Sequence, residues 1–263
     1  MRNWVMVLGL WGCAGGSDSI GEGTTPPSGT SGGAAGGGPG CTADVSKVTF
    51  ATEDGETLAA DHHVAATPGS GAVILFHMIP PSNDRSGYPK RVRDALADLG
   101  VSVLNVDRRG AGRSTGDPAA AYTGEGGRLD MEAAVRYLLD PDAGCSVDPS
   151  RLLLVGASNG STSVHDYTAA HAGDLPDPRA LVWMSPGTYT EAQVAVSGSA
   201  TEQTPLLWLY PTNEPYSDAF VGQAADWEFT QRGAVHGTQM FDGSALEDDT
   251  VADVAAWTER WLL

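Results

Sequence analysis

The sequence predicts one α/β domain, a mostly parallel sheet of about eight strands with helices on both faces, preceded by a leader and a flexible tether. Three observations predict it. Short apolar runs alternate with helical spacing from Ala72 to the C-terminus. A chain of 263 residues with 41% hydrophobic composition suffices for one substantial core. The stretch from Ala14 to Gly40 is Gly, Ser, Thr and Pro with almost nothing to pack, so it falls outside the domain.

Taken in order, Val45 to Thr52 and Thr57 to Val64 alternate like half-buried strands, and Glu53-Asp54-Gly55-Glu56 supplies the turn of an opening hairpin. The continuously apolar run Ala72 to His77 reads as a strand covered on both faces. Pro89 to Leu99 has helical spacing at Val92, Leu96 and Leu99 and stops at Gly100; Val101 to Asp107 is a second buried strand. The alternation continues with a helix around Leu129 to Leu139, a strand at Arg151 to Val155, a helix after Ser158 and a strand at Ala180 to Met184. Strands at Leu206 to Tyr210 and Trp227 to Thr230 follow, with a helix near Asp218 to Ala225 between them and a closing helix over Thr250 to Leu262. The spacing leaves about twenty residues between Met184 and Leu206, too few for a large cap domain. In such a sheet the crossovers are right-handed and ligands bind at the strand carboxyl ends.

The formal charge of −18, from 33 acidic against 15 basic residues, excludes a face positive enough to neutralise a phosphate backbone. No nucleic-acid partner is expected. No metal or other cofactor is expected either: His62-His63 has no carboxylate or cysteine at ligand spacing, and Glu247-Asp248-Asp249 lacks an EF-hand frame. Gly32 to Gly40 belongs to the tether and is not a strand-to-helix nucleotide turn.

At the N-terminus, Arg2 precedes the apolar run Trp4 to Trp11, too short to span a bilayer but suited to a signal-peptide core. Leu10-Trp11-Gly12-Cys13 resembles the lipobox of bacterial lipoproteins, with Trp11 where that motif carries a small residue. The resemblance implies a signal over residues 1–12 and a lipidated Cys13. Residues 13–44 would then tether a catalytic domain of residues 45–263 to a bacterial membrane, facing periplasm or cell surface. With Cys13 acylated, Cys41 and Cys145 remain as an even pair outside the cytosol and are expected to be joined. Closing that loop of about a hundred residues would contribute ~4 kcal/mol in the chain-entropy model.

The chemistry centres on Gly156-Ala157-Ser158-Asn159-Gly160, a G-x-S-x-G immediately after a buried strand and before a helix. Two glycines permit a sharp turn that lifts the serine hydroxyl out of the sheet edge, where the helix N-terminus favours developing negative charge. A serine nucleophile needs a base. His236, between Gly233 and Gly237 in the loop after the last strand, is the best placed. His62 and His63 precede the nucleophile in a hairpin, and His165 and His171 fall on or beyond the helix after it. The acid comes from the loop after Leu206 to Tyr210: Glu214 is the first choice and Asp218 the alternative. Asp107 is read as organising Arg108 or Arg109. The oxyanion requires two donors, the Asn159 amide and the amide of Met78 or Ile79.

These segments, Phe76-His77-Met78 with Ser82 to Tyr88, Asp107 to Ser114, Gly156 to Gly160, Glu214-Pro215-Tyr216-Ser217 and His236-Gly237-Thr238, resemble the dienelactone-hydrolase-like and esterase-like branches of the α/β-hydrolase family. The resemblance spans roughly Val45 to Leu263 in the family's motif order. It implies hydrolysis of a small-molecule ester or related acyl bond without metal, and makes Ser114 a turn residue; a monomer is expected. The chain departs from the family at Met78, where a glycine is common, at Pro211, where a glycine is usual, and at Glu214, where aspartate is common. Tyr189, Tyr216 and Met78 are expected to line the site. Two other readings stay open at this stage: a binding module that keeps the fold without turnover, and the same triad acting on an amide or carbon–carbon bond.

Overall fold

The computed structural model describes residues 45–142, 146–186, 194–214, 220–243 and 245–263. Cys13, Cys41 and Cys145, on which the anchor and the disulfide depend, lie outside the described residues. Among those residues eight strands form one sheet: β1 (Val45–Ala51), β2 (Thr57–His63), β3 (Ser70–Phe76), β4 (Ser102–Asp107), β5 (Val147–Ala157), β6 (Ala180–Met184), β7 (Leu206–Tyr210) and β8 (Trp227–Gln231). Their spatial order is β1-β2-β4-β3-β5-β6-β7-β8. β2 pairs antiparallel with both β1 and β4, and every later pairing is parallel. The helices are α1 (Lys90–Asp98), α2 (Gly126–Leu139), α3 (Gly160–Ala170) and α4 (Ala245–Leu262).

The central strands are apolar on both sides because helices cover both sides. Ile74, Phe76, Leu104 and Leu154 pack with Met131 of α2 and Val164 of α3. The alternate residues Val73, Leu75, Val103 and Leu153 pack with Val92 and Leu96 of α1 and with Val254 and Trp257 of α4. Each large apolar side chain so buried contributes about 1.5–3 kcal/mol. β1, at the sheet edge, alternates exposed and half-buried positions, as its hairpin pattern predicts.

Three element starts and one expected helix differ from the sequence reading by more than two residues. α2 begins at Gly126 rather than near Leu129, although glycine is a poor helix former. A Cβ on Gly126 would collide with the Ala120 carbonyl and Arg109, and one on Gly127 with Ser163 and the Ala121 carbonyl, so close packing selects both glycines. α4 begins at Ala245 rather than Thr250, with Glu247 and Asp248 in its first turn, where carboxylates complement the helix dipole. β5 runs from Val147 to the residue before Ser158. The α-helix expected near Asp218 to Ala225 is not seen in its described part: Phe220 has 3-10 geometry and residues 221–226 are turns and bends before β8. Between β6 and β7 the described residues contain one 3-10 turn, Ala200–Gln203.

Burial leaves a pH signature. His62 is buried on β2 with Nδ1 3.1 Å from the Tyr137 hydroxyl, and burial, reinforced by His63, lowers its pKa to about 4. Its unfolded pKa lies near 6.5. The folded state therefore resists protonation that the unfolded chain accepts: the stability held above pH 6.5 is lost as pH falls toward 4. Between pH 8 and pH 5 this single residue is expected to cost on the order of 2 kcal/mol. Urea unfolding should show a shallower acid slope for His62→Gln than for the parent; equal slopes would refute the assignment.

Candidate active site

Ser158 joins β5 to α3 with φ +50°, a left-handed conformation that non-glycine residues rarely adopt. Its surroundings hold it there. The Ser158 amide donates to the Met184 carbonyl at 2.7 Å, and its own carbonyl accepts from the Ser161 amide at 3.0 Å and hydroxyl at 2.5 Å. A Cβ on Gly156 would lie 2.6 Å from Ser161 N and Cα, and one on Gly160 would lie 2.6 Å from the His77 carbonyl oxygen. The two motif glycines are thus steric requirements of a turn wedged beneath the loop that follows β3.

His236 and Glu214 meet Ser158 from two other strand ends. His236 Nε2 stands 2.6 Å from Ser158 Oγ, and His236 Nδ1 stands 2.5 Å from Glu214 Oε1. Glu214 follows β7 and His236 follows β8, so adjacent parallel strands deliver the carboxylate and the imidazole to the same sheet edge as Ser158. A carboxylate beside Nδ1 fixes the ring's proton there and leaves Nε2 free to accept from the serine hydroxyl. Asp218, the alternative acid, and Tyr189 and Tyr216 lie outside the described residues.

Two features near this chain were not read from the sequence. Ser185, buried after β6 with φ +49°, accepts the Gly237 amide on Oγ at 2.9 Å and donates its own amide to Leu209 O at 2.7 Å. It fixes the residue next to the histidine. Gly237, at φ +56°, has no room for a side chain: a Cβ would sit 2.5 Å from Met78 Sδ and 3.5 Å from Ser158 Cβ. Met78 therefore packs into the notch that Gly237 leaves, beside Ser158. Ile79, the other expected oxyanion residue, is exposed next to it. A lone serine after an apolar strand and a glycine after a histidine carry little signal until their neighbours are known.

The loop after β3 is held by a neutral imidazole. His77 Nε2 accepts the Arg108 amide at 2.9 Å, so the ring proton is on Nδ1, which donates to Met78 O at 2.8 Å. Burial, helped by the Arg108 charge, lowers the His77 pKa to about 3.

Asp107 does not organise Arg108 or Arg109. It accepts the amides of Arg85 and Arg113, each at 2.9 Å, and pairs with the Arg85 guanidinium. Arg109 is held by Asp130 at 2.8 Å and Asp54 at 2.7 Å, because its side chain turns toward α2 and the opening hairpin. Ser114 Oγ donates to Asp107 O at 2.6 Å and accepts the Ala59 amide, which makes it a turn residue as expected. His165 bridges Thr201 Oγ1 and Val194 O, both at 2.8 Å, well away from the base position. Among the described residues no group of three His, Cys, Asp or Glu side chains is arranged to hold a metal ion.

No family model matches the chain, and no curated protein matches it. Solved structures do. An esterase of Pyrococcus furiosus superposes with a TM-score of 0.64 at 17% identity, over 84% of this chain and 92% of its own. A bacterial heroin esterase gives a TM-score of 0.62 at 15% identity over 84% of each chain. The esterase domain of a Rhodothermus marinus protein gives 0.56 at 18% identity, over 84% of this chain and all of that one. At these identities the likeness shows the fold: the chain has the α/β-hydrolase fold.

The Met78–Gly237 contact predicts a paired effect. Gly237→Ala adds a methyl group against Met78 at a left-handed φ and is expected to cost about 1–3 kcal/mol in urea unfolding. Met78→Ala in the same chain should recover part of that loss. Additive losses would show that the two residues do not share this notch.

Proposed function

We propose that the protein is a serine hydrolase that cleaves a carboxylic ester, or a related acyl bond, through an acyl-enzyme on Ser158. The supporting observation is the continuous chain Glu214 Oε1, His236 Nδ1, His236 Nε2, Ser158 Oγ, with links of 2.5 and 2.6 Å. Such a chain suits proton transfer to a positioned base. His236 Nε2 takes the hydroxyl proton as Ser158 Oγ bonds to the acyl carbon and the carbonyl electrons move onto oxygen. The amides of Asn159 and of Met78 or Ile79 receive that oxyanion, a contribution typically worth ~2.7–4 kcal/mol per donor. Collapse breaks the bond to the alkoxide, which leaves with the proton from His236. Water, deprotonated by His236, then attacks the acyl-enzyme and releases the acid and free Ser158. Glu214 orients the ring and balances its charge while the proton resides on it.

The esterase names of the structural neighbours favour the same class. Export and lipidation at Cys13 belong to the proposal: radiolabelled palmitate should enter the parent and not Cys13→Ser, and equal incorporation in both would exclude Cys13 as the lipidated residue. A fluorophosphonate probe tests the chemistry: the parent should label at Ser158, and Ser158→Ala should not. Glu214→Gln is expected to lower kcat by about 10²–10⁴-fold with ester substrates. A folded parent that neither labels nor turns over esters would instead be a binding module.

A further inference from the structure

Arg108, the residue after β4, is fully buried, and its guanidinium reaches both segments expected to carry the oxyanion donors. One amino group, Nη1, donates to Asn159 Oδ1 at 2.8 Å and lies 3.3 Å from His77 O and 3.4 Å from Met78 O. The other, Nη2, donates to Ala121 O at 2.6 Å and to Ser163 Oγ of α3 at 2.9 Å. The Arg108 amide donates to His77 Nε2, and that ring donates to Met78 O.

On the reading of Ser158 as an acyl-transfer nucleophile, we propose that Arg108 is the positioning residue of the oxyanion hole, fixing the residue after the nucleophile and the loop after β3 relative to each other. The physical case is geometric. Donors work when they are aimed in advance at the place where charge develops, and a misplacement of about 1 Å can cost ~10²-fold in rate. The two donors come from strand ends separated in sequence by about eighty residues, and nothing in the strand pairing alone sets the orientation of their terminal amides. A planar guanidinium with donors in a rigid fork can hold several acceptors at once, which a flexible ammonium cannot. With the Met78 carbonyl held by Arg108 and by the His77 ring, the Ile79 amide in the same peptide plane is constrained in direction, and the Arg108 contact to the His77 carbonyl constrains the Met78 amide in the same way. With its side-chain oxygen tied to the same amino group, Asn159 is held against the same reference. Arg108 touches none of the reacting atoms in this scheme; it acts through Asn159 and Met78.

The test uses the full chain, p-nitrophenyl acetate as substrate and phenylboronic acid, which forms a tetrahedral adduct with an active serine, as transition-state mimic. Arg108→Lys is expected to lower kcat by about 10- to 100-fold with KM within about twofold, and to weaken the boronate by the same factor as kcat/KM. Asn159→Ala, which keeps its backbone amide, should act in the same direction. The double variant should lose no more than the worse single, because both break one linkage. Ser163→Ala, remote from the reacting atoms, should lower kcat several-fold through the far side of the guanidinium. Folded Arg108→Lys with kcat and boronate affinity within about twofold of the parent, or losses that simply multiply in the double variant, would overturn the assignment. Should Arg108→Lys not fold, Asn159→Ala and Ser163→Ala decide it: both leaving kcat and boronate affinity unchanged would overturn it. A parent that neither hydrolyses the ester nor labels at Ser158 would instead defeat the hydrolase reading on which the assignment rests.

Discussion

A serine backbone held at φ +50° is the constraint on which the site depends. Left-handed geometry at a non-glycine residue costs on the order of 1–3 kcal/mol and persists only where the surroundings over-determine it. Here β5 enters from below, α3 leaves above, the Met184 carbonyl holds the amide, and two glycines remove the side chains that would block the turn. The same geometry presents Oγ to a histidine that arrives from a different strand. Relaxing the turn to an ordinary conformation would redirect the hydroxyl away from it.

Around that point the protein ties its loops to one another. Ser185 holds Gly237 beside His236, Met78 fills the notch at Gly237, and Arg108 links the residue after Ser158 to the loop after β3. Further out, Asp107 fixes the backbone of Arg85 and Arg113, and Asp130 fixes Arg109 against the turn that carries Asp54. Buried pairs of this sort are costly to break from one side, by about 3–5 kcal/mol, even where their net contribution is small. They restrict where each loop can go.

How much of this was legible in the sequence follows from the range of the forces involved. The strands were readable because apolar runs report burial, and Ser158 was readable because its motif sits between a strand and a helix. Glu214 and His236 follow from their order along the chain, and the structure brings His236 to Ser158 and Glu214 to His236. The helix starts at Gly126 and Ala245 were missed because glycine packing against Ala120 and Ser163 is a tertiary effect and because an acidic segment resembles a loop. Arg108 and Asp107 were misread for a related reason. Neighbouring residues after a strand point in different directions, and only three-dimensional placement shows which acid meets which arginine. The helix expected before β8 rested on local spacing in a segment whose described part turns instead.

Ser158 and Ser185 occupy equivalent steps of a staircase. Each follows a parallel strand in left-handed geometry, at φ +50° and +49°, and each donates its amide hydrogen bond to a carbonyl at the end of the neighbouring strand, Met184 O and Leu209 O, at 2.7 Å. The Ser158 hydroxyl and the support beside the histidine are therefore counted off from the same ladder. A slip of one residue between β5, β6 and β7 would exchange inward and outward faces and move serine and histidine to different levels. Misregistered molecules could retain much secondary structure yet carry an unreactive serine. On the proposed hydrolase reading, titrating Ser158 hydroxyls with a probe thus becomes a census of correctly registered molecules, one that circular dichroism would not provide.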